Sequence, residues 1–204
     1  MNDYVSTALG MAMGVPVPVG TLLKLGSEWG FCSIGFGEHG RRPPPADLEA
    51  LSAERPWEAT GVIMLDQWVS NRDRHDRNVA YMSAFGVAAF DHDQALFGAT
   101  PPGTGVESLQ QVRELRVKQH PFAPHLKTDR YFDTWIERAR SVTVEELRRA
   151  VWTCVDADLL TRLEAEALVE FLQYRQRNVR QFIEDSYLEF VGIEAWTLGS
   201  GGGE

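Results

Sequence analysis

Three residues have the types and the spacing for metal-assisted phosphoryl transfer: Asp73, Asn78 five residues later, and Asp91 thirteen residues after that. Such chemistry has two requirements. Metal ions must be held against the phosphates, and an acceptor hydroxyl must lie in line beside a carboxylate that takes its proton. Protein kinases meet both with an Asp, an Asn five residues on, and a second Asp after the following hairpin. Any one of these residues alone says little, because a D-x-x-x-x-N spacing is common and a polar loop after a helix is usually a solvated turn. The combination carries the signal.

The elements that must position these residues are readable around them. An apolar helix is expected over about Ala59–Val69, with Val62, Leu65 and Val69 on one face and Met64 and Trp68 beside them. It should stop at Ser70-Asn71, and the run Arg72-Asp73-Arg74-His75-Asp76-Arg77 follows. Two strand-like pieces, Asn78–Met82 and Val87–Phe90, read as a hairpin through Ser83-Ala84-Phe85-Gly86 whose far end delivers Asp91. This order would let Asn78 and Asp91 converge on one metal position with Asp73 just beyond.

Elsewhere the chain reads as mostly helical. A short helix over Tyr4–Met13 should end at Gly14, ahead of Pro16 and Pro18, with one or two strands in Val15–Leu25. Gly26–Gly40 is rich in glycine and aromatics and runs into Arg41–Pro45, whose three prolines read as a stiff linker. A helical turn is expected at Ala46–Leu51 and a modest helix over 107–118, after a turn cluster at Thr100–Gly105. Tyr131, Phe132, Trp135, Ile136 and Ala139 mark an amphipathic helix whose aromatic stripe belongs to the core. Thr143 with Glu146, and Thr161 with Glu164, are capping-box pairs, the second within a long helix over about Leu159–Tyr187. Gly199–Glu204 reads as a flexible tail.

The 204 residues are enough for one domain with a sizeable core, or two small lobes sharing one. The net charge of −9 repels a phosphate backbone, so no nucleic acid is expected as a partner. No apolar run has the length of a membrane span and no signal-peptide pattern opens the chain, so no membrane association and a cytoplasmic location are expected. Cys32 and Cys154 are far apart and lack zinc or disulfide spacing; Cys154 falls on an apolar helical stripe and is expected to be buried.

Asn71–Asn78 (N-R-D-R-H-D-R-N) resembles the N-x-D-R-H-x-x-N catalytic loop of HipA-like kinases and of phosphatidylinositol kinases. Ala89–Leu96 (A-F-D-H-D-Q-A-L) is similar to the D-H-x-x-A metal-binding segment of the same group. His120-Pro121-Phe122 and Phe171–Gln181 look like the C-terminal helices of actinobacterial HipA-like domains, and Asn2–Pro18 looks like their opening helix and its G-hydrophobic-P-V-P passage. The resemblance implies an α+β, protein-kinase-like fold: a large helical lobe over residues 46–190 with a small β hairpin at the metal site. Residues 1–42 would be the remnant of a truncated N-terminal lobe and hinge, and 199–204 a flexible tail. It implies ATP and Mg²⁺ as cofactors, Asp73 as catalytic base and Asn78 and Asp91 as metal ligands. His75, Arg74, Arg77 and His92 would bind nucleotide or support the loop.

The front of the chain departs from that pattern. It has no glycine-rich phosphate loop, Lys24 is the sole lysine before residue 118, and Asp3 stands where the family would carry the glutamate that partners its lysine. The expected partners are therefore a nucleotide and an unknown protein substrate, or a second chain covering the missing lobe. The face left open is expected to include the first helix, with Val5, Leu9, Met11 and Met13, and the strand after it. Two other readings remain. One is an inactive kinase fold that binds nucleotide or protein; the other is a metal-dependent phosphohydrolase built on the doublets His75-Asp76 and His92-Asp93. Gly35-Phe36-Gly37 is a weak candidate for an adenine hinge.

Overall fold

The computed structural model describes residues 1–35, 44–82, 86–98 and 105–199. The triproline linker's first half, the Phe36-Gly37 part of the hinge candidate, the turn at 83–85, most of the 100–105 cluster and the tail past 199 lie outside the described residues.

Helix α1 (Asn2–Met13) is closed by Gly14, whose φ of 81° is left-handed and whose N–H turns back to the last helical carbonyls. Pro16 then lends its carbonyl to the N–H of Ala89 at 2.8 Å, laying this segment beside the metal-site hairpin. Strands β1 (Gly20–Leu25) and β2 (Glu28–Ser33) pair antiparallel, with Leu25 opposite Glu28 across a two-residue turn. Strand β2 falls within the stretch rich in glycine and aromatics. Its Gly30 is flanked by Trp29 and Phe31, whose side chains suit a pleated ribbon.

Helix α2 (Leu48–Glu54) is capped by Asp47, which accepts from the N–H of Ala50 at 3.0 Å. Helix α3 (Pro56–Val69) begins with proline at its first turn, three residues before the periodic apolar pattern does. Every residue from Ala59 to Val69 is buried, so α3 is the central helix and not an amphipathic surface one. A short 3₁₀ turn, Asp76–Asn78, leads into β3 (Val79–Met82), which pairs antiparallel with β4 (Gly86–Ala89). Asn78 thus belongs to the turn, one residue ahead of the strand.

Helices α4 (Gly105–Val112), α5 (Phe132–Ser141), α6 (Val144–Asp156) and α7 (Arg162–Glu184) complete the body. Both capping boxes form, at Thr143–Glu146 and Thr161–Glu164, and the second sets the start of α7 at Arg162 instead of Leu159. Helix α4 stops at Val112, short of 118, because the buried guanidinium of Arg175 claims the carbonyls of Val112, Arg113 and Leu115 at 3.2, 3.0 and 2.7 Å. The same group takes the carbonyls of Gln67 and Trp68, tying α7 to the end of α3.

One apolar cluster runs from Val5 to Leu198 and includes Trp68, Trp135, Phe132 and Cys154. Helix α1 is part of it: Val5, Leu9 and Met13 are buried against α3, α5 and α6, and Met11 alone of the four is exposed. The expectation of an uncovered first helix is corrected here. Three helices cover it, whereas the strand after it, also expected to be partly uncovered, carries the exposed Leu23 and Leu25. No described helix is long and apolar enough to cross a membrane.

Candidate active site

The site grows from the last turn of α3. Asp66 is fully buried, the one acid in the buried run Ala59–Val69, and a buried carboxylate must be paired. Its Oδ1 accepts from Asn71 Nδ2 at 2.9 Å and Arg74 Nη2 at 3.0 Å; its Oδ2 accepts from Arg74 Nε at 2.8 Å and His120 Nε2 at 3.0 Å. Burial alone would raise its pKa, but Arg74 and His120 more than offset that, holding the carboxyl well below the ordinary carboxylate range. The two-pronged Arg74 contact fixes the guanidinium plane.

From that plane Arg74 reaches outward. Its Nη1 donates to the carbonyl of Asn78 at 2.6 Å and to that of Phe90 at 2.7 Å, and its Nη2 donates to Nε2 of His92 at 2.8 Å. One side chain thereby brackets Asp91 from both neighbours while holding Asn78 and sitting next to Asp73. The hairpin register does the rest: Val79 lies opposite Ala89, and the N–H of Phe90 donates to the carbonyl of Asn78 at 3.0 Å. Asn78 Nδ2 donates to the carbonyl of Asp73 at 3.2 Å, stitching the loop across its own five-residue span.

Asp91 leaves β4 with a φ of 59°, a left-handed conformation that a non-glycine residue seldom adopts without a compensating framework. Its carboxyl is raised above the ordinary value, first by partial burial and then by the carboxylates of Asp93 and Asp3, with Asp73 adding to the same effect. Asp73, Asp91, Asp93 and Asp3 therefore share one field. Asp3 is held there by accepting the N–H of His92 at 2.6 Å, and Asn2 Nδ2 donates to the carbonyls of Asp93 and Gly98. An open cleft of about 300 Å³ is lined by Arg72, Asp73 and Gln94.

The remaining candidates separate. Asp73 and Asp91 are exposed, whereas Arg74 and His92 lie buried beneath the loop. Burial, and then the Arg74 guanidinium, push the His92 pKa down to about 3, so the ring is neutral and accepts through Nε2. His75 is partly exposed and caps the 3₁₀ turn, its Nδ1 accepting from the N–H of Arg77 at 3.1 Å; Arg77 itself is exposed. Lys24 is not in the cleft lining; its ammonium lies 5.7 Å from the centre of the Trp29 ring.

Among the described residues no three His, Cys, Asp or Glu side chains stand together as a metal cage. The oxygen donors of Asp91 and Asn78 suit magnesium, which is usually held by one or two carboxylates together with substrate phosphates and water. The doublet His92-Asp93 does not face one point, because His92 turns inward to Arg74 while Asp93 is exposed. Sequence reasoning missed Asp66 and overlooked His120 as its partner. The available signal was a lone acid inside a buried run, Met64-Leu65-Asp66-Gln67-Trp68.

No family model matches the chain, and no curated protein matches it. Among solved structures, it is similar to the Helicobacter pylori proinflammatory kinase CtkA, with a TM-score of 0.60 at 12% identity, over 95% of this chain and 84% of that one. HipA from the Shewanella oneidensis MR-1 toxin–antitoxin complex with HipB and operator DNA aligns over 92% of this chain and 49% of that one, with a TM-score of 0.34 at 12% identity. The likeness to CtkA shows the fold: this chain is α+β and shares its architecture with a kinase.

Proposed function

We propose that this chain is a HipA-like kinase-fold protein that binds ATP with Mg²⁺ and directs phosphoryl transfer to a serine or threonine of a protein. The observation that carries the reading is the Arg74 clamp, which gathers Asn78 and both neighbours of Asp91 beside Asp73 at the mouth of an open cleft. In this reading Asp73 orients the acceptor hydroxyl and takes its proton. Asn78 and Asp91 present oxygens to the metal, which when bound would neutralise charge on the phosphates. The raised pKa of Asp91 supports this, since a carboxylate crowded by others is relieved by a cation. Arg72 lines the cleft and would meet the phosphates; Arg74, His92 and His75 hold the loop.

The test pairs binding with turnover. Mg-ATP should raise the melting temperature of the purified chain, and Asp91→Ala should remove that rise. Transfer of labelled phosphate to a mixed peptide substrate should be lost in Asp73→Asn. A second reading, a nucleotide- or protein-binding module without turnover, is favoured by the placement of the cations: Lys24 is engaged at Trp29, and Arg72 is the sole cation among the described residues lining the cleft. Binding that Asp91→Ala abolishes, together with no transfer by the parent chain, would establish that second reading.

A further inference from the structure

The backbone of Asp91 is held from both sides by side chains of two different elements. A residue's φ and ψ describe how the planar peptide before its Cα sits against the one after it. The plane before Asp91 contains the Phe90 carbonyl, which accepts from Arg74 Nη1 at 2.7 Å. The plane after it contains the His92 N–H, which donates to Asp3 Oδ1 at 2.6 Å. Arg74 is anchored in turn on the buried Asp66. Asp3 stands on α1, whose Val5, Leu9 and Met13 are packed into the core. One residue earlier, Asn2 Nδ2 donates to the carbonyls of Asp93 and Gly98, so the turn after Asp91 is tied to the same end of the helix. Between these two holds Asp91 keeps its left-handed φ of 59°. A non-glycine residue is disfavoured there by a factor of about 5–150.

We propose that Asp3 is a positioning residue for the metal site: by holding the His92 N–H it locks Asp91 in the backbone conformation that presents its carboxylate beside Asn78. The proposal rests on the reading of Asp91 as a metal ligand. The carboxylate that the resemblance sets opposite a lysine is bonded here to the metal loop. Arg74 also reaches His92, but through the imidazole, whose side-chain rotations leave the peptide plane free to turn. Asp3 takes the peptide N–H itself, and a charged acceptor makes that hydrogen bond a strong one. A site whose competent conformation is only fractionally populated binds more weakly by that fraction. Removing a partner that orients a metal ligand accordingly costs about 10–100-fold in metal affinity. Helix α1 therefore does more than fill the core: its first turn sets the direction of the metal aspartate.

Amide exchange read by NMR and titration with Mg-ATP test it together on the full chain. In Asp3→Ala the His92 amide should exchange about tenfold faster or more, measured against the α3 amides, and the Kd for Mg-ATP should rise about tenfold or more. Asp3→Asn keeps an acceptor oxygen; it should restore slow exchange and bring the Kd to within about threefold of the parent. Leu9→Ala removes core volume further along the same helix, so it should lower the melting temperature and leave both readouts as in the parent. Unchanged His92 exchange in Asp3→Ala overturns the proposal, and so does faster exchange with an unchanged Kd. An Asp3→Asn chain with slow exchange that binds as weakly as Asp3→Ala would assign the effect to charge and overturn positioning. Leu9→Ala weakening Mg-ATP as much as Asp3→Ala would overturn it too, since any loosening of α1 would then suffice. These outcomes fall on Asp3 alone when the parent binds Mg-ATP and Asp91→Ala does not. A parent that binds none overturns the metal reading of Asp91, and the proposal with it.

Discussion

Replacing Asp66 by alanine should unlock the candidate site without touching any residue in the cleft. The carboxylate accepts four hydrogen bonds, from Asn71, twice from Arg74 and from His120, and neither it nor Arg74 has access to solvent. Removing it leaves a buried guanidinium without its counter-charge, a change that costs about 3–5 kcal/mol. Folded proteins have only about 5–15 kcal/mol in hand. For a chain of this size each kcal/mol moves the melting point by about 2–4 °C, so Asp66→Ala should melt roughly 10–15 °C lower. The double change Asp66→Leu with Arg74→Met removes both charges together and should recover much of that loss. Urea unfolding of the parent, Asp66→Leu, Arg74→Met and the double variant closes the cycle. A coupling energy below about 0.5 kcal/mol, the range of independent sites, would refute the claim that this pair holds the loop.

Three further outcomes follow from single residues. His92 is neutral in the fold with a pKa near 3, whereas an unfolded histidine takes a proton near pH 6.5. As pH falls through that window the unfolded state gains the proton first, so stability should drop by up to about 1.4 kcal/mol per unit, and His92→Gln should flatten the slope. A Cβ at Gly61 would sit 2.5 Å from Cζ2 of Trp135, so Gly61→Ala should cost about 1–3 kcal/mol in chemical denaturation. Arg175→Lys replaces a fork that serves five carbonyls by one ammonium; it should cost about 2–4 kcal/mol and speed amide exchange near the end of α4.

The sequence made some features legible because their cause is local. Both capping boxes need only four consecutive residues, and both form. The central helix announced itself by an apolar run, and the loop–hairpin order set Asn78 opposite Phe90 as the pairing requires. What stayed hidden depends on distant partners. Arg72, Arg74 and Arg77 are indistinguishable in a charged run; only Asp66, eight residues back on the helix, draws Arg74 inside while the other two stay exposed. His120 reaches the same carboxylate from 54 residues away. The end of α4 is set by Arg175, which no local propensity at 113–118 records.

Charge at the cleft makes a last prediction about the order of binding. Asp3, Asp73 and Asp93 all act on Asp91, and Arg72 is the sole cation among the described residues lining the cleft. A free triphosphate brings several more negative charges to that field. At an effective dielectric of 20, each pair of unit charges 8 Å apart repels by about 2 kcal/mol, so metal-free ATP should be rejected. Magnesium reverses the sign by sitting between the two sets of oxygens. With ATP and Mg²⁺ at a hundred times the dissociation constant, mass action adds about 2.7 kcal/mol, a rise of roughly 5–10 °C in melting temperature. The same ATP with a chelator should give no rise, and Mg²⁺ alone a small one that Asp91→Ala removes. A full shift with chelated ATP would mean that cations elsewhere hold the phosphates, and the assignment of Asn78 and Asp91 as metal ligands would fall with it.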